Sequence, residues 1–168
     1  MSAPSAVNWL TVGPEAAALL AHLHDQTFGD SLHDRWGEVD FAQILALPTT
    51  IAKIVLLPAD DGVDKDAPAH PVGFVVFSQV LDECEILTLG VVPSQRRAGI
   101  GRHLLGAVID RAGVNAVKSI FLEVREDNQA ALHLYQRHGF ILAGRRRDYY
   151  HLNDGQRLDA IVMRKNIA

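Results

Sequence analysis

Apolar positions in this 168-residue chain change period several times, and each change marks an element. Residues 1–8 carry no periodic pattern and read as a frayed terminus. From Pro14 to Thr27 a run of Ala and Leu behind an early proline predicts a helix. Asp40 to Leu47 predicts a second, short helix, stopped by Pro48. Thr50–Leu57 is nearly unbroken apolar sequence and predicts a strand, as do Val72–Val80 and Glu83–Val92, which meet at Leu81-Asp82. Leu104, Leu105, Val108, Ile109 and Ala112 return at helical spacing, so residues 99–112 predict a helix with Gly113 as its cap. Ser119–Arg125 alternates as a strand. Asn128 then suits the N-cap of a helix through His138, with Gly139 just past its end. Phe140–Tyr150 and Arg157–Arg164 predict two strands around the hairpin signal Asn153-Asp154-Gly155. Strands outnumber helices in a mixed order without repeats, which implies an α/β (mixed α+β) domain built on a central sheet.

Composition narrows this little. The length suits one domain with a sizeable core, and Pro58–Pro71 is the one polar, Pro- and Asp-rich stretch, expected to be a long loop. No apolar run reaches the roughly 18 residues of a membrane helix, and the first residues lack the pattern of a signal peptide. With Cys84 as the only cysteine, no internal disulfide is possible, and a cytoplasmic location is expected. The net charge of −4 argues against direct nucleic-acid binding; Arg145-Arg146-Arg147 is a short patch, read as a solvated strand face or the rim of a peptide site. The eight histidines show no metal-ligand spacing, so no metal is expected.

The chemistry begins at residues 85–105, EILTLGVVPSQRRAGIGRHLL: a strand, a basic turn with glycines, then a helix. A helix start offers unpaired N–H groups and partial positive charge, and glycines allow close backbone approach, so this is a candidate pyrophosphate cradle. Leu104 stands where a dinucleotide fingerprint needs its third glycine, and no G-K-[ST] of a P-loop exists. What remains is R-x-x-G-x-G at Arg96, Gly99 and Gly101. It closely resembles the coenzyme A loop of the GCN5-related N-acetyltransferases (GNAT).

A second cluster, FLEVREDNQAALHLYQRHGF at 121–140, holds Glu123 inside an apolar strand, beside Phe121 and Arg125. The strand alone favours an ordinary exposed glutamate paired with Arg125; a cleft-facing carboxylate would instead be a candidate base. Tyr135 shares a helical stripe with Ala131, Leu134 and His138, where a tyrosine usually packs in a core. Acetyl transfer to an amine needs a base for the ammonium, an acid for the departing thiolate and a donor for the growing oxyanion. Leu89-Gly90-Val91, just before the loop, is placed to supply the last through its backbone.

This block, with GRRRDYY and DAIVM after it and VLDECEILTLGVVP before the loop, resembles the ribosomal-protein-alanine N-acetyltransferases of the RimI type. The likeness covers roughly residues 14–165, taken as one domain behind an N-terminal segment 1–13 that is partly disordered or a first strand. Phe28, Trp36, Phe41, Leu45 and Pro48 join it more loosely.

The resemblance implies a mostly antiparallel central sheet, splayed at the acetyl-CoA site and flanked by helices. It makes Glu123 the general base, Tyr135 the general acid and Asn128 a coenzyme contact. It gives Leu89, Gly90 and Val91 the acetyl and pantetheine part, and the loop Arg96, Arg97, Ala98, Gly99, Ile100 and Gly101 the pyrophosphate. Trp36, Tyr149 and Tyr150 would border the acceptor.

The loop 58–71 is longer than in compact members of that family, the Phe28–Trp36 segment is spaced differently, and two further departures fall in the coenzyme site. Gly90 replaces the family's usual small residue, such as alanine, and would loosen the strand there; Ala98 leaves the loop one cation short. Acetyl-CoA is the implied donor, and the implied acceptor is the alanine-type N-terminus of a small-subunit ribosomal protein, reached by direct attack. A small amine or a lysine as acceptor, or an acyl-CoA-binding module without turnover, are the alternatives. Oligomeric state is not legible in the sequence.

Overall fold

A computed structural model describes residues 8–29, 36–58 and 68–167. Seven strands form one sheet: β1 Asn8–Val12, β2 Thr50–Leu57, β3 His70–Val80, β4 Glu83–Val91, β5 Ser119–Arg125, β6 Ile141–His151 and β7 Arg157–Asn166, in the order β1-β2-β3-β4-β5-β7-β6. Among the described residues, four helices flank it: α1 Ala17–Phe28, α2 Glu38–Leu45, α3 Ile100–Val114 and α4 Gln129–Arg137. Every neighbouring pair is antiparallel except β4 and β5.

β2 and β5 have the predicted bounds, and Asn128 caps α4 as expected, its Oδ1 accepting the Ala131 N–H at 3.1 Å. Other elements differ. The first strand begins at Asn8, inside the stretch expected to fray, and β3 starts two residues before the expected Val72. Residues 1–7, and most of the expected 58–71 loop, lie outside the described residues. Pro14–Ala16 forms a 3-10 turn before α1, and α2 begins at Glu38, where Asp40 Oδ2 accepts the Gly37 N–H at 2.8 Å.

The expected cap at Gly113 is corrected. α3 runs through it to Val114, and the left-handed turn falls on Ala116, φ +55°. The Val117 N–H then reaches back to the Ala112 carbonyl at 3.0 Å, a Schellman closure. Burial explains the extension: Ala112 and Val117 are both in the core, so the chain turns where it can bury both.

The core joins both faces of the sheet, with Phe74, Ile54, Leu20 and Phe41 among its buried side chains and Leu104, Leu105 and Val108 supplied by α3. The register assigns the faces. A Cβ on Gly73 would point at Ile100 and Leu104, so Gly73, Val75 and Phe77 face α3. A Cβ on Gly90, which pairs with Phe74, would point at Thr27 of α1 on the other face.

Candidate active site

The site lies where β4 and β5 part. They pair only from Glu83↔Ser119 to Ile86↔Leu122. Val76 pairs with Thr88 but Phe77 with Ile86, so Leu87 is an extra residue, a bulge at the point of separation. Beyond it, residues 88–91 of β4 keep their bonds to β3 and have an open edge towards β5. The Val92 N–H bonds to the Val72 carbonyl at 3.0 Å, so its N–H faces β3. Alternation then turns the backbone groups of Leu89 and Val91 into the opening. Of the three residues expected to hold an acyl group, Leu89 turns both its N–H and its carbonyl into the opening and Val91 its N–H, the Val91 carbonyl accepting from Arg96 Nε at 3.2 Å.

Gly90 has a different reason to be glycine from the one its sequence suggests. A Cβ there would lie 2.7 Å from Phe74 Cε1 and 2.8 Å from Thr27 Cγ2. The residue is buried under α1, and its missing side chain lets α1 settle on β4 rather than loosening the strand.

The loop enters α3 through Arg97 at φ +65° and Gly99 at φ +84°. These left-handed residues turn the chain so that the first amides of α3, from Ile100 and Gly101 onward, lie at the end of the opening. Arg97, Ala98 and Gly99 are exposed, as is Arg102 one residue beyond the motif, whereas Ile100 is buried as an anchor. Arg96 is engaged differently: its Nη2 donates to the Thr27 carbonyl at 2.6 Å and its Nε to the Val91 carbonyl at 3.2 Å.

Glu123 and the helix that bears Tyr135 lie on opposite faces of the sheet. Ile86 faces α3 through its pairing with Phe77, and Leu122 pairs with Ile86, so Glu123 faces the α1 side. The helix bearing Tyr135 lies on the α3 side, where Leu134 is 3.4 Å from the position a Gly101 Cβ would take. The Tyr135 side chain is buried, with Phe140 at 5.8 Å between ring centres. Burial, and secondarily Tyr150, pushes its hydroxyl well above the ordinary tyrosine value, so it stays protonated at neutral pH.

Glu123 is neither on an edge strand nor paired with Arg125. Its Oε1 meets Arg146 Nε at 2.9 Å, while Arg125 forms a two-pronged pair with Asp127 at 2.9 and 2.6 Å. Alternation leaves Arg125 on the same face, but its fork is taken by the turn that follows. Arg146 in turn lies over the Tyr149 ring at 5.3 Å, and Tyr149 and Tyr150 meet edge to face at 5.2 Å. Burial and then Glu123 raise Tyr149; the same causes, with Tyr149 added and Arg125 opposing, push Tyr150 up to about 12. The fold therefore gathers Glu123, Tyr149 and Tyr150, with Tyr150 also close enough to influence Tyr135.

Trp36 lies apart from this group, stacked on the buried His24 (6.2 Å, 7° between planes) and edge-on to Phe41. It lines a hollow of about 430 Å³ with Asp40, Gln43, Ile44 and Leu47. Sequence reasoning missed Arg146 as partner of Glu123, and the group Glu126, Arg145 and Asp159 behind it. Their signal is only the order of β5, β7 and β6 across the sheet.

The family model described as Acetyltransferase (GNAT) family matches residues 18–140. The chain belongs to the GNAT family. Acetyl-CoA is the acetyl donor of this family, and the open β4 edge, the glycine-entered α3 and the exposed arginines fit it. The chain is 43% identical over 90 residues to the [ribosomal protein bS18]-alanine N-acetyltransferase of Escherichia coli K12, covering 54% of this chain and 60% of that protein. It is 44% identical over 86 residues to the N-alpha-acetyltransferase RimI of Mycobacterium tuberculosis, 50% of this chain and 49% of that one. The chain thus matches only three fifths or less of these relatives' length. The crystal structure of the E. coli ribosomal-protein-S18-alanine N-acetyltransferase superposes with a TM-score of 0.82 at 28% identity, over 97% of this chain and 95% of that one. Among the described residues, no helix is long and apolar enough to cross a membrane.

Proposed function

We propose that this GNAT domain, residues 14–165, transfers acetyl from acetyl-CoA to the α-amino group of an N-terminal alanine, on a small-subunit ribosomal protein in the cytoplasm. The observation that supports the chemistry is that Glu123 faces the α1 side of the sheet beside the β4–β5 opening while the helix bearing Tyr135 lies on the α3 side. The acceptor comes from the relatives named for bS18 alanine acetylation.

Acetyl-CoA supplies an activated acetyl thioester. Glu123 takes the proton of the incoming ammonium, directly or through water, and so frees the nitrogen for attack. The Leu89 N–H, turned into the opening, stabilises the negative charge that grows on the carbonyl oxygen. Tyr135 holds a proton for the departing sulfur. Burial keeps that hydroxyl protonated at neutral pH, so the proton is in place when the C–S bond breaks. The amides of Arg97 to Gly101 and the side chains of Arg97 and Arg102 hold the pyrophosphate, and Asn128 borders the coenzyme beside its capping role. Tyr149 and Tyr150 edge the acceptor entrance, and Trp36 shapes the wall beyond α1.

An α-amine is the easier acceptor for a single carboxylate. It titrates near 7.7–8.0 against about 10.4 for lysine, so deprotonating lysine at neutral pH costs ~3.5 kcal/mol more.

The test is thiol release from acetyl-CoA with a short peptide beginning Ala-Arg, the same peptide blocked at its N-terminus, and a blocked lysine-bearing peptide. Turnover confined to the free alanine terminus supports the proposal. Turnover with the lysine peptide alone replaces the acceptor, and acetyl-CoA binding without turnover on any amine removes the enzymatic reading.

A further inference from the structure

Arg96 opens the R-x-x-G-x-G motif, yet its guanidinium is committed to two backbone carbonyls, one on α1 and one on β4. Nη2 lies 2.6 Å from the Thr27 carbonyl and Nε 3.2 Å from the Val91 carbonyl. Thr27 is in the last turn of α1, where carbonyls lack intrahelical partners and carry the negative end of the helix dipole. A cation suits that position. Val91 ends the strand whose open edge faces the β4–β5 opening. A third contact closes the same joint: the Thr27 methyl occupies the space above Gly90, 2.8 Å from where a Cβ would sit.

We propose that Arg96 is a positioning residue that locks the acceptor-side helix α1 to the donor strand β4, rather than a phosphate-binding cation. This rests on the reading that the β4 edge takes acetyl-CoA and that the α1 face takes the acceptor. The planar guanidinium reaches two carbonyls on different elements at once, which a lysine ammonium on a single stem cannot reproduce in the same geometry. The two halves of the site, Leu89–Val91 and the end of α1 leading to Phe28, are thereby held in one register. Arg97 and Arg102 serve as the cations at α3. Removing Arg96 therefore leaves the pyrophosphate cradle intact and frees the acceptor wall.

The experiment uses R96K and R96Q in the full chain. Coenzyme A affinity is measured by calorimetry at low and moderate salt. Steady-state kinetics are run with the Ala-Arg peptide, or with whichever amine the wild type acetylates. Urea unfolding checks that both variants fold, and R96K retains the charge if R96Q folds poorly.

The expected result is coenzyme A affinity and salt dependence within about twofold of wild type in both variants. Acceptor kcat/KM falls about tenfold in both, chiefly through KM, the size of one charge-assisted hydrogen bond. The proposal is overturned if R96Q weakens coenzyme A binding and flattens its salt dependence while R96K restores both. It is equally overturned if acceptor kcat/KM is unchanged in both variants. A wild-type protein that neither binds coenzyme A nor transfers acetyl would instead overturn the functional reading beneath it.

Discussion

The Glu123 carboxylate and the Arg146 guanidinium form an ion pair, Oε1 to Nε at 2.9 Å, between strands that are not neighbours: β7 lies between β5 and β6. The Glu123 side chain is 20% exposed and that of Arg146 58%, so water screens the pair from the arginine side. Such a pair contributes about 0–1 kcal/mol to stability. Arg146 Nε occupies the Oε1 side of the carboxylate, so another cation approaching Glu123 must share or displace it.

E123Q and R146A should therefore each unfold within ~1 kcal/mol of wild type in urea. Turnover should separate them. E123Q should lower kcat by about 10²- to 10⁴-fold, the range for loss of a positioned base. R146A should retain kcat within tenfold. A kcat for E123Q close to wild type would remove Glu123 as the base.

Stability should fall on the alkaline side. Burial raises Cys84 from 9.0 to about 11 and Tyr150 from 10.0 to about 12, and drives Tyr135 up in the same direction. Each group is neutral when protonated, so the folded state keeps a proton that the unfolded chain releases. Fewer protons bound in the unfolded state means that stability falls as pH rises. The contribution is intact below pH 9 and is lost through the window from 9 to about 12. Each group adds a slope of ~1.4 kcal/mol per pH unit within its own window. Urea unfolding of wild type and C84A at pH 8, 9, 10 and 11 checks this: C84A should be flatter between 9 and 10. Parallel curves there would mean that Cys84 does not titrate as its burial requires.

G90A should destabilise the protein by about 1–3 kcal/mol, because its Cβ has no room between Phe74 and Thr27. Combining it with F74L, which removes the crowding ring atoms, should recover part of the loss. Additive losses in the double variant, measured by urea unfolding, would show that the clash is relieved elsewhere.

Local signals survived folding where the residue's partner is close in sequence. Asn128 caps its own helix, and β2 and β5 end where apolar runs end. The hairpin around Gly155, φ +84°, also follows its turn residues. Signals failed where a partner is distant. Arg96 bonds a carbonyl 69 residues away, and no spacing rule links it to Thr27. Arg125 was the obvious local partner for Glu123, but the sheet order brings Arg146 instead. Gly113 looked like a helix stop because glycine favours left-handed turns, whereas core packing of Val117 put that turn on Ala116. Gly90 read as a loosened strand because nothing in its neighbourhood along the chain announces Phe74 and Thr27. The family match itself ends at Phe140, so β6, which brings Arg146 and two tyrosines to Glu123, lies outside the residues that the family model matches.

Asp159 should control that surround without touching it. Two extra residues of β6 loop out between Arg146, which pairs with Ala160, and Tyr150, which pairs with Leu158. Asp148 in this bulge has φ +52°. Asp159 Oδ1 accepts the Asp148 N–H at 2.9 Å and Oδ2 accepts from Arg145 Nη1 at 2.8 Å. Glu126 closes the network, taking the Asp159 N–H and Arg145 Nη1, each at 3.0 Å. The Asp148 N–H and then Arg145 hold the Asp159 carboxyl below its usual value. Its contribution is therefore present above the unfolded carboxylate range and is lost as pH falls through the lowered value. The bulge has Arg146 and Tyr150 on its shoulders and Tyr149 within it, so its geometry sets what faces Glu123. D159N keeps an acceptor for Asp148 but can turn an amide towards Arg145, which should loosen the bulge. The expected outcome is a raised acceptor KM with coenzyme A affinity unchanged. R145Q should do the same, and the double variant should be little worse than either single one, because both act through one network. Fully additive losses in acceptor KM would separate the two residues. A loss of coenzyme A affinity would place the network on the donor side of the opening instead.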